Sequence, residues 1–271
     1  MTDPLRRYAS KGHLRVQGWL SDTAIALLLE LARIQRDRGI HGPVCEIGVH
    51  HGRLFILLHH LTAADERSVG WDLFEQQDQN IDRSGKGDRQ QLLANLRRHH
   101  ADMSRIAIHT ANSLELGPAD VQQACGTAPR MFSVDGGHTA EITASDLRLA
   151  AETIHDEGVI VLDDFFNESW PGVAEGTCRY MAAPAVPLFP VAIAGNKFVF
   201  TRRREMAAVY RQELSLPAQR FRRRDTIAFG EPVAVFTEIA MPLRTRLLRA
   251  PAMRRLRRTV PWRAVRKIIR R

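Results

Sequence analysis

The stretch FSVDGGHTAE, residues 132–141, decides the fold because an apolar run ends in Asp-Gly-Gly-His directly before a helical pattern. Asp and Gly are common in ordinary turns, so a simple turn is one interpretation. The alternative is the rim of a site, since ligands of open α/β sheets bind outside the carboxyl ends of the strands. The rest of the sequence has to distinguish the two.

Strand-length apolar segments alternate with helix-length segments on both sides of this stretch. The strand candidates are residues 43–48, 68–74, 105–111, 130–136 and 158–165. This alternation predicts an α/β protein with a doubly wound, mostly parallel sheet, because right-handed crossovers place helices on both faces.

The chain beyond the fifth strand departs from this alternation. A helix is predicted from Trp170 onward, followed by two strands that meet at Gly195-Asn196, a two-residue hairpin signal. The sheet is therefore expected to end in an antiparallel hairpin. Residues 205–214 read as helix and residues 225–239 as extended chain.

The predicted organisation has three parts. An N-terminal helical cap covers residues 1–40, because a helical run at 21–39 starts at a Ser-Asp cap and stops at a glycine. The main domain covers residues 41–202, and residues 203–271 form a C-terminal extension with a basic helical tail at 242–271.

The positive charge of the protein is concentrated in that tail. The chain has a net charge of +9, and residues 242–271 hold 12 Lys and Arg and no acid, so the first 241 residues have a net charge of −3. A slightly acidic body argues against a nucleic-acid-binding protein as a whole. The tail reads as a basic amphipathic helix that binds an anionic membrane or nucleic acid, or as a solvated or packed basic helix.

Cysteine content and hydropathy indicate the compartment. The three cysteines lack the spacing of a disulfide framework or a zinc site. Neither a secretion signal nor a membrane-spanning segment is visible. The expected location is cytoplasmic, with the tail able to hold the protein at the inner membrane face.

The first candidate site motif is EIGVHHG, residues 46–52, at the end of the first strand. Gly48 and Gly52 allow the backbone to turn sharply and to approach a ligand closely. The spacing is neither that of a dinucleotide fingerprint nor that of a P-loop. A plain strand-turn-helix joint is the alternative.

Asp72 ends the second strand. An acid at this position can accept hydrogen bonds from both hydroxyls of a ribose, or it can simply face solvent.

Three acids follow the fourth and fifth strands. Asp135 ends the fourth, and Asp163 and Asp164 end the fifth, so neighbouring parallel strands would bring three carboxylates to one rim. Such carboxylates repel one another unless a cation lies between them. Oxygen ligands suit Mg²⁺ or Mn²⁺. Helix caps and turn acids are the alternative interpretation.

Taken together, EIGVHHG, Asp72, SVDGGHTAEITASDL and GVIVLDDFFNESWPGV resemble class I S-adenosylmethionine-dependent methyltransferases over about residues 40–202. More narrowly they resemble the metal-dependent O-methyltransferases of the catechol and macrolide-sugar types, methyltransferase family 24-like. The resemblance implies a Rossmann-like, seven-stranded sheet with a reversed last strand.

The resemblance also implies roles for single residues. Glu46, Gly48 and Gly52 would hold the methionine part of the cofactor, and Asp72 its ribose. Ser113 would lie near the adenine. Asp135, Asp163 and Asp164 would bind Mg²⁺ or Mn²⁺, and His138 would take the proton from a substrate hydroxyl.

These implications give one main hypothesis and one alternative. The main hypothesis is an O-methyltransferase that acts on a polyol, sugar or phenolic hydroxyl, with a homo-oligomer as a possible assembly. The alternative is a methyltransferase-like binding module, or an RNA or protein methyltransferase, that the basic tail recruits to anionic surfaces. Nucleic acid ranks below the membrane as a partner, because the chain before the basic tail lacks an aromatic base-stacking platform.

The loop at 82–90 is either a lid over the substrate or a plain exposed loop.

Overall fold

The computed structural model of the chain describes residues 3–239. Its helices are α1 Pro4–Ser10, α2 Asp22–Asp37, α3 Arg53–His60, α4 Arg89–Arg98, α5 Pro118–Cys125, α6 Ala140–Thr153, α7 Pro171–Ala182 and α8 Arg204–Glu213. Its strands are β1 Val44–Ile47, β2 Ser68–Asp72, β3 Ile106–Thr110, β4 Met131–Val134, β5 Val159–Leu162, β6 Phe189–Ala194, β7 Lys197–Thr201, β8 Phe221–Ala228 and β9 Glu231–Glu238. The predicted amphipathic helix at 242–271 lies outside the described residues.

The described strands form one sheet in the order β3-β2-β1-β4-β5-β7-β6-β9-β8. Strands β1 to β5 pair in parallel, and β7 runs antiparallel to both β5 and β6, as the sequence predicts. The predicted count of seven strands is wrong, because the described part of the chain has nine. The additional hairpin β8-β9 joins the sheet through β9, which pairs in parallel with β6, so the sheet continues beyond the predicted domain boundary at residue 202.

The central strands are buried on both faces. Every residue of β1, β4 and β5 is buried. Alternate side chains enter two different apolar cores: Val159 and Val161 pack on one side of the sheet, and Ile160 and Leu162 on the other. Short continuous apolar runs are typical of parallel strands covered by helices on both faces.

Capping residues start the helices that flank the site. The Ser21 hydroxyl accepts a hydrogen bond from the Ala24 amide at 3.1 Å and so begins α2. Thr139 does the same for α6, where its hydroxyl accepts from the Ile142 amide at 3.3 Å. Among residues 3–239, no helix combines the length and the apolar composition that a membrane span requires.

The chain changes direction across the sheet between β1 and β4. Strands β2 and β3 lie on one side of β1, and β4 and β5 lie on the other. The two crossovers therefore leave a crevice at the carboxyl ends of β1 and β4, which is the usual ligand site of such sheets.

Candidate active site

A cavity of about 660 Å³ opens at this switch point. It is lined mainly by the loops that follow the carboxyl ends of the parallel strands, by the β6-β7 turn and by the segment before α2. The residues that contribute lie within 17–19, 46–54, 71–73, 77–87, 111–113, 135–142, 163–170 and 195–196. Every residue predicted for the site lines this cavity except Gly52, which begins α3 next to it.

The first loop approaches the end of β4 as closely as its glycines allow. Gly48 has a φ of +84°, and a Cβ at this position would lie 1.7 Å from the carbonyl oxygen of Asp135. Gly52 has a φ of +86° and forms the N-cap of α3. Both positions exclude side chains, because left-handed backbone and close packing coincide there.

Glu46 supplies the loop with a buried acid. Only 1% of the residue is exposed, and its Oε2 has no hydrogen-bond partner. Burial raises the pKa of Glu46 well above its ordinary value, and the nearby Asp135 carboxylate raises it further. An unpaired buried acceptor that faces a cavity fits a ligand with a positively charged or N–H donor group.

Asp72 is fixed at the end of β2 by backbone donors. Its Oδ2 accepts from the His50 amide at 2.7 Å, and its Oδ1 accepts from the Phe74 amide at 2.8 Å. Burial raises the pKa of Asp72. Each carboxylate oxygen can accept a second hydrogen bond, so the geometry fits a ligand with two hydroxyls. Ser113 lies across the cavity, just beyond β3.

In the same cavity, Asp135, His138 and Asp164 form a compact group. One potential ligand atom from each lies within 4.8 Å of the other two. The Nε2 of His138 is 3.5 Å from the Oδ2 of Asp164. Burial alone would lower the pKa of His138, but hydrogen bonds with Asp164 and Asp82 raise it to about 9.

Asp163 lies beside this group but interacts with another residue. Its Oδ2 accepts a hydrogen bond from the ammonium of Lys197, and its Oδ1 accepts from the Asp164 amide at 2.9 Å. Lys197 is buried and lies at the start of β7. The prediction that Asp163 binds the cation with Asp135 and Asp164 therefore stays a prediction, and Lys197 is a partner of Asp163 that the sequence does not indicate.

The loop between β2 and α4 contributes residues that sequence reasoning does not single out. Asp82 Oδ2 accepts from the His138 amide at 2.5 Å and lies 2.9 Å from the ring Nδ1. The Ser84 hydroxyl lies 3.0 Å from the same nitrogen. Trp170 stacks on the imidazole at a centroid distance of 4.3 Å. In the sequence, only the glycines of this loop suggest a role at the site, and they are equally compatible with a plain exposed loop.

Comparison with known proteins identifies the domain in which this cavity lies. Residues 45–165 match the sequence model of a family described as "Methyltransferase domain". No curated protein sequence matches the chain.

Several solved structures share the fold. The O-methyltransferase NovP is 16% identical, with a TM-score of 0.53 over 65% of this chain and 78% of that chain. An O-methyltransferase from Bacillus cereus, solved in complex with SAH, is 13% identical, with a TM-score of 0.51 over 74% of this chain and 90% of that chain. CalS11, a TDP-rhamnose 3'-O-methyltransferase, is 18% identical, with a TM-score of 0.50 over 74% and 93%.

Identities this low show a common fold, and the family match names the domain. The resemblance predicted from EIGVHHG, Asp72 and the acids after β4 and β5 is thereby confirmed at the level of the family. Residues 45–165 are accordingly a methyltransferase domain of the family 24 type, within a chain that has the fold of O-methyltransferases.

Proposed function

We propose that this methyltransferase transfers the methyl group to a hydroxyl of a small molecule or sugar, assisted by a divalent cation. One observation carries the proposal. A single cavity is lined both by Glu46 and Asp72 and by the group of Asp135, His138 and Asp164. A methyl donor and a cation-bound hydroxyl acceptor need such adjacent subsites.

The residues near β1 and β2 fit the methyl donor. S-adenosylmethionine supplies an electrophilic methyl group on a sulfonium with a neutral leaving group. The unpartnered Oε2 of Glu46 would accept a hydrogen bond from the ammonium of the methionine part, and the carboxylate of Asp72 would accept hydrogen bonds from the two ribose hydroxyls. The backbone at Gly48 packs so closely on the Asp135 carbonyl that a side chain is excluded there.

The residues near β4 and β5 fit a cation and an acceptor hydroxyl. Carboxylate oxygens of Asp135 and Asp164 are suitable ligands for Mg²⁺ or Mn²⁺. Such a cation would lower the pKa of an acceptor hydroxyl held there. The side chains of this chain then have to align the oxygen with the methyl group, which is the main catalytic requirement of an in-line displacement.

The mouth of the cavity supports a ring-shaped acceptor. Trp19, Ile81 and Phe166 line it with exposed fractions of 76%, 66% and 59%. Exposed apolar side chains of this size at a pocket favour stacking on a sugar or phenolic ring. CalS11 acts on a TDP-linked sugar according to its description, and a nucleotide-linked or free sugar is accordingly the first acceptor class to test.

Calorimetric titration with S-adenosylhomocysteine tests the donor half of the proposal. We expect binding by the wild-type chain and at least a tenfold loss of affinity in Asp72→Ala, which loses the acceptor of both ribose hydroxyls. Glu75→Ala, a neighbouring acid that does not line the cavity, is the matched control. Unchanged affinity in Asp72→Ala would contradict the assigned orientation.

Transfer from labelled S-adenosylmethionine tests the acceptor half. Sugars, nucleotide-linked sugars and catechols are offered with and without Mg²⁺ or Mn²⁺. The complete proposal is supported if a hydroxyl is methylated and EDTA abolishes the methylation. Transfer that EDTA leaves unchanged removes the cation, and transfer only to nitrogen or carbon acceptors refutes O-methylation.

A further inference from the structure

We infer that the mouth of the cavity is a docking surface for an anionic lipid bilayer. Three exposed apolar side chains and two exposed cations form this surface, which we call the mouth patch: Trp19, Ile81, Phe166, Arg83 and Lys86. The mouth patch lies within the described residues, whereas the basic sequence at 242–271 lies outside them. Docking on lipid goes beyond the proposed methyl transfer and does not depend on it.

The apolar side chains of the mouth patch come from three separate segments. Trp19 precedes α2, Ile81 lies between β2 and α4, and Phe166 follows β5, and all three line the cavity. Their exposed fractions lie between 59% and 76%. Exposed apolar side chains that are grouped in this way mark interaction surfaces, and tryptophan is enriched at the interface between lipid and water.

The cations of the mouth patch lie on the same loop as Ile81. Arg83 and Lys86 are both exposed. In the described part of the chain this loop forms one ion pair, that of Asp82 with His138, so the charges of Arg83 and Lys86 have no carboxylate partner there. Unpaired cations beside exposed apolar side chains are the combination by which peripheral proteins bind anionic lipid.

The sign of the charge changes between the mouth and the interior of the cavity. Arg53 is the one Lys or Arg that lines the cavity in the described part of the chain, and Arg83 and Lys86 lie outside this lining. A small anion that entered the cavity would meet the acids of the lining, whereas a bilayer surface meets the cations at the rim. The charge pattern therefore favours an extended anionic surface over a small anionic ligand. Six acids line the cavity: Glu46, Asp72, Asp82, Asp135, Asp163 and Asp164.

Ring contacts connect the mouth patch to the β8-β9 hairpin. The ring of Phe166 contacts that of Phe165 at a centroid distance of 4.7 Å, and Phe165 contacts Phe229 at 6.1 Å. The hairpin adds Ile227, which is 72% exposed, and Arg224, which is exposed and forms no ion pair within residues 3–239. Apolar and basic surface therefore continues beyond the rim of the cavity, as contact with a bilayer requires.

Two other occupants fit the mouth patch less well. Two copies that met through it would bring Arg83 and Lys86 of both chains together, and the like charges would repel. A nucleic acid would be attracted by the cations but would gain little from Ile81, because bases stack on aromatic side chains.

Partition of the full chain onto vesicles of two parts phosphatidylcholine and one part phosphatidylglycerol tests the docking. Arg83→Gln combined with Lys86→Gln should weaken partition at least tenfold, because each basic residue near an anionic surface adds to the affinity. Arg36→Gln combined with Arg97→Gln is the matched control. It removes two exposed cations near the C-terminal ends of α2 and α4, away from the cavity, and should weaken partition less than about threefold. Equal losses in the two double variants would overturn the inference.

Quenching of tryptophan fluorescence by lipid with brominated acyl chains locates the contact. Trp262→Phe in the full chain removes the tryptophan of the basic tail. Of the remaining three, Trp19 is exposed, Trp71 is buried and Trp170 stacks on an imidazole inside the cavity. We expect strong quenching in this background and loss of most of it after the further change Trp19→Phe. Protein that binds the vesicles with unquenched emission docks through another part of the chain and overturns the mouth patch.

Affinity for S-adenosylhomocysteine in each variant shows that the protein is folded and separates the possible failures. Wild-type protein that binds the cofactor but not the anionic vesicles, or that binds vesicles of phosphatidylcholine alone equally well, overturns the inference and leaves the proposed function intact. A dimer or a complex with single-stranded RNA that Arg83→Gln with Lys86→Gln abolishes, while vesicle binding is unchanged, assigns the mouth patch to another occupant and also overturns the inference.

Discussion

Two buried ion pairs lie at opposite edges of the parallel sheet, and they differ in how well their charges are balanced. Arg130 precedes β4 at the amino edge and pairs with Glu66, with Nε–Oε1 at 2.8 Å and Nη2–Oε2 at 2.9 Å. Lys197 pairs with Asp163 at the carboxyl edge, just after β5. Both pairs are almost completely buried.

The pair at the amino edge is fully satisfied. Glu66 also accepts from the amides of Gly42 and Ala63, and Arg130 also donates to the side chain of Gln35. Burial alone would raise the pKa of Glu66, but the hydrogen bonds from Arg130 hold it below its ordinary value. This pair joins helices and loops at the base of the sheet and leaves no capacity for a ligand.

The pair at the carboxyl edge is surrounded by excess acid. Burial and neighbouring carboxylates raise the pKa values of Glu46 and Asp135 well above the ordinary range. Burial would lower the pKa of Lys197, but Asp163 and Asp135 raise it. The contrast shows that buried acids are fully paired at the amino edge, which lies away from the cavity. Buried acids without a basic partner are found at the carboxyl edge, where the cavity lies.

The largest effect is expected from Arg130→Met. The substitution leaves the Glu66 carboxylate buried without its partner, so we expect the free energy of unfolding in urea to fall by about 3–5 kcal/mol. Arg33→Met is the matched control, because Arg33 forms a comparable pair with Glu30 on the surface of α2 and should cost less than about 1 kcal/mol. Equal losses in the two variants would show that the amino-edge pair has no special role.

Lys197→Met should have a smaller effect that depends on the cation. We expect a loss of about 2 kcal/mol, less than for Arg130→Met, because the carboxylates around Lys197 can be protonated or reached by ions from the cavity. Thermal unfolding followed with and without Mn²⁺ checks this. The cation should restore part of the loss in Lys197→Met, since Asp163 becomes available as an additional ligand, and none of it in Arg130→Met. A loss that Mn²⁺ leaves unchanged would contradict the difference between the two edges.

Features of the site that have local signals in the sequence are predicted better than features that depend on long-range contacts. Strands with continuous apolar runs and glycines at turns carry local signals, so β1 to β5, the hairpin turn and the acids after β4 and β5 were found. Asp135, Asp164 and His138 meet as the strand order requires. Their proximity follows from topology, which alternation along the chain is enough to indicate.

The remaining features depend on contacts between distant parts of the chain. Lys197 reaches Asp163 across 34 positions, and Asp82 reaches His138 across 56. A lysine in a strand and an aspartate in a polar loop look like ordinary exposed residues, since nothing in the adjacent sequence marks their partners. The β8-β9 hairpin was missed as part of the sheet for the same reason, because β9 pairs with β6 far away in sequence.

The smallest effect is expected at Asp146, a buried acid on α6 that lies behind the site near the hydroxyl of Ser113. Burial raises its pKa from an ordinary value of 3.8 to about 7, although the interaction with Ser113 acts in the opposite direction. Below about pH 4 the carboxyl is protonated in both the folded and the unfolded chain and affects stability little. As the pH rises toward 7 the unfolded chain loses the proton first, so folding becomes less favourable, and above 7 the penalty is constant.

Asp146→Asn removes this charge while keeping the shape of the side chain. We expect the variant to be about 1 kcal/mol less stable than the wild type at pH 4, because the buried amide is poorly paired at every pH, and about 1–2 kcal/mol more stable at pH 8, where the wild type carries the cost of the raised pKa. Urea unfolding at the two pH values measures the difference, with Asp102→Asn as a control for an exposed acid on the opposite edge of the sheet. If the stability difference between Asp146→Asn and the wild type is the same at both pH values, Asp146 is ionised in the folded protein and has a counter-charge. The negative charges at the carboxyl edge of the sheet would then be better compensated than Glu46 and Asp135 indicate.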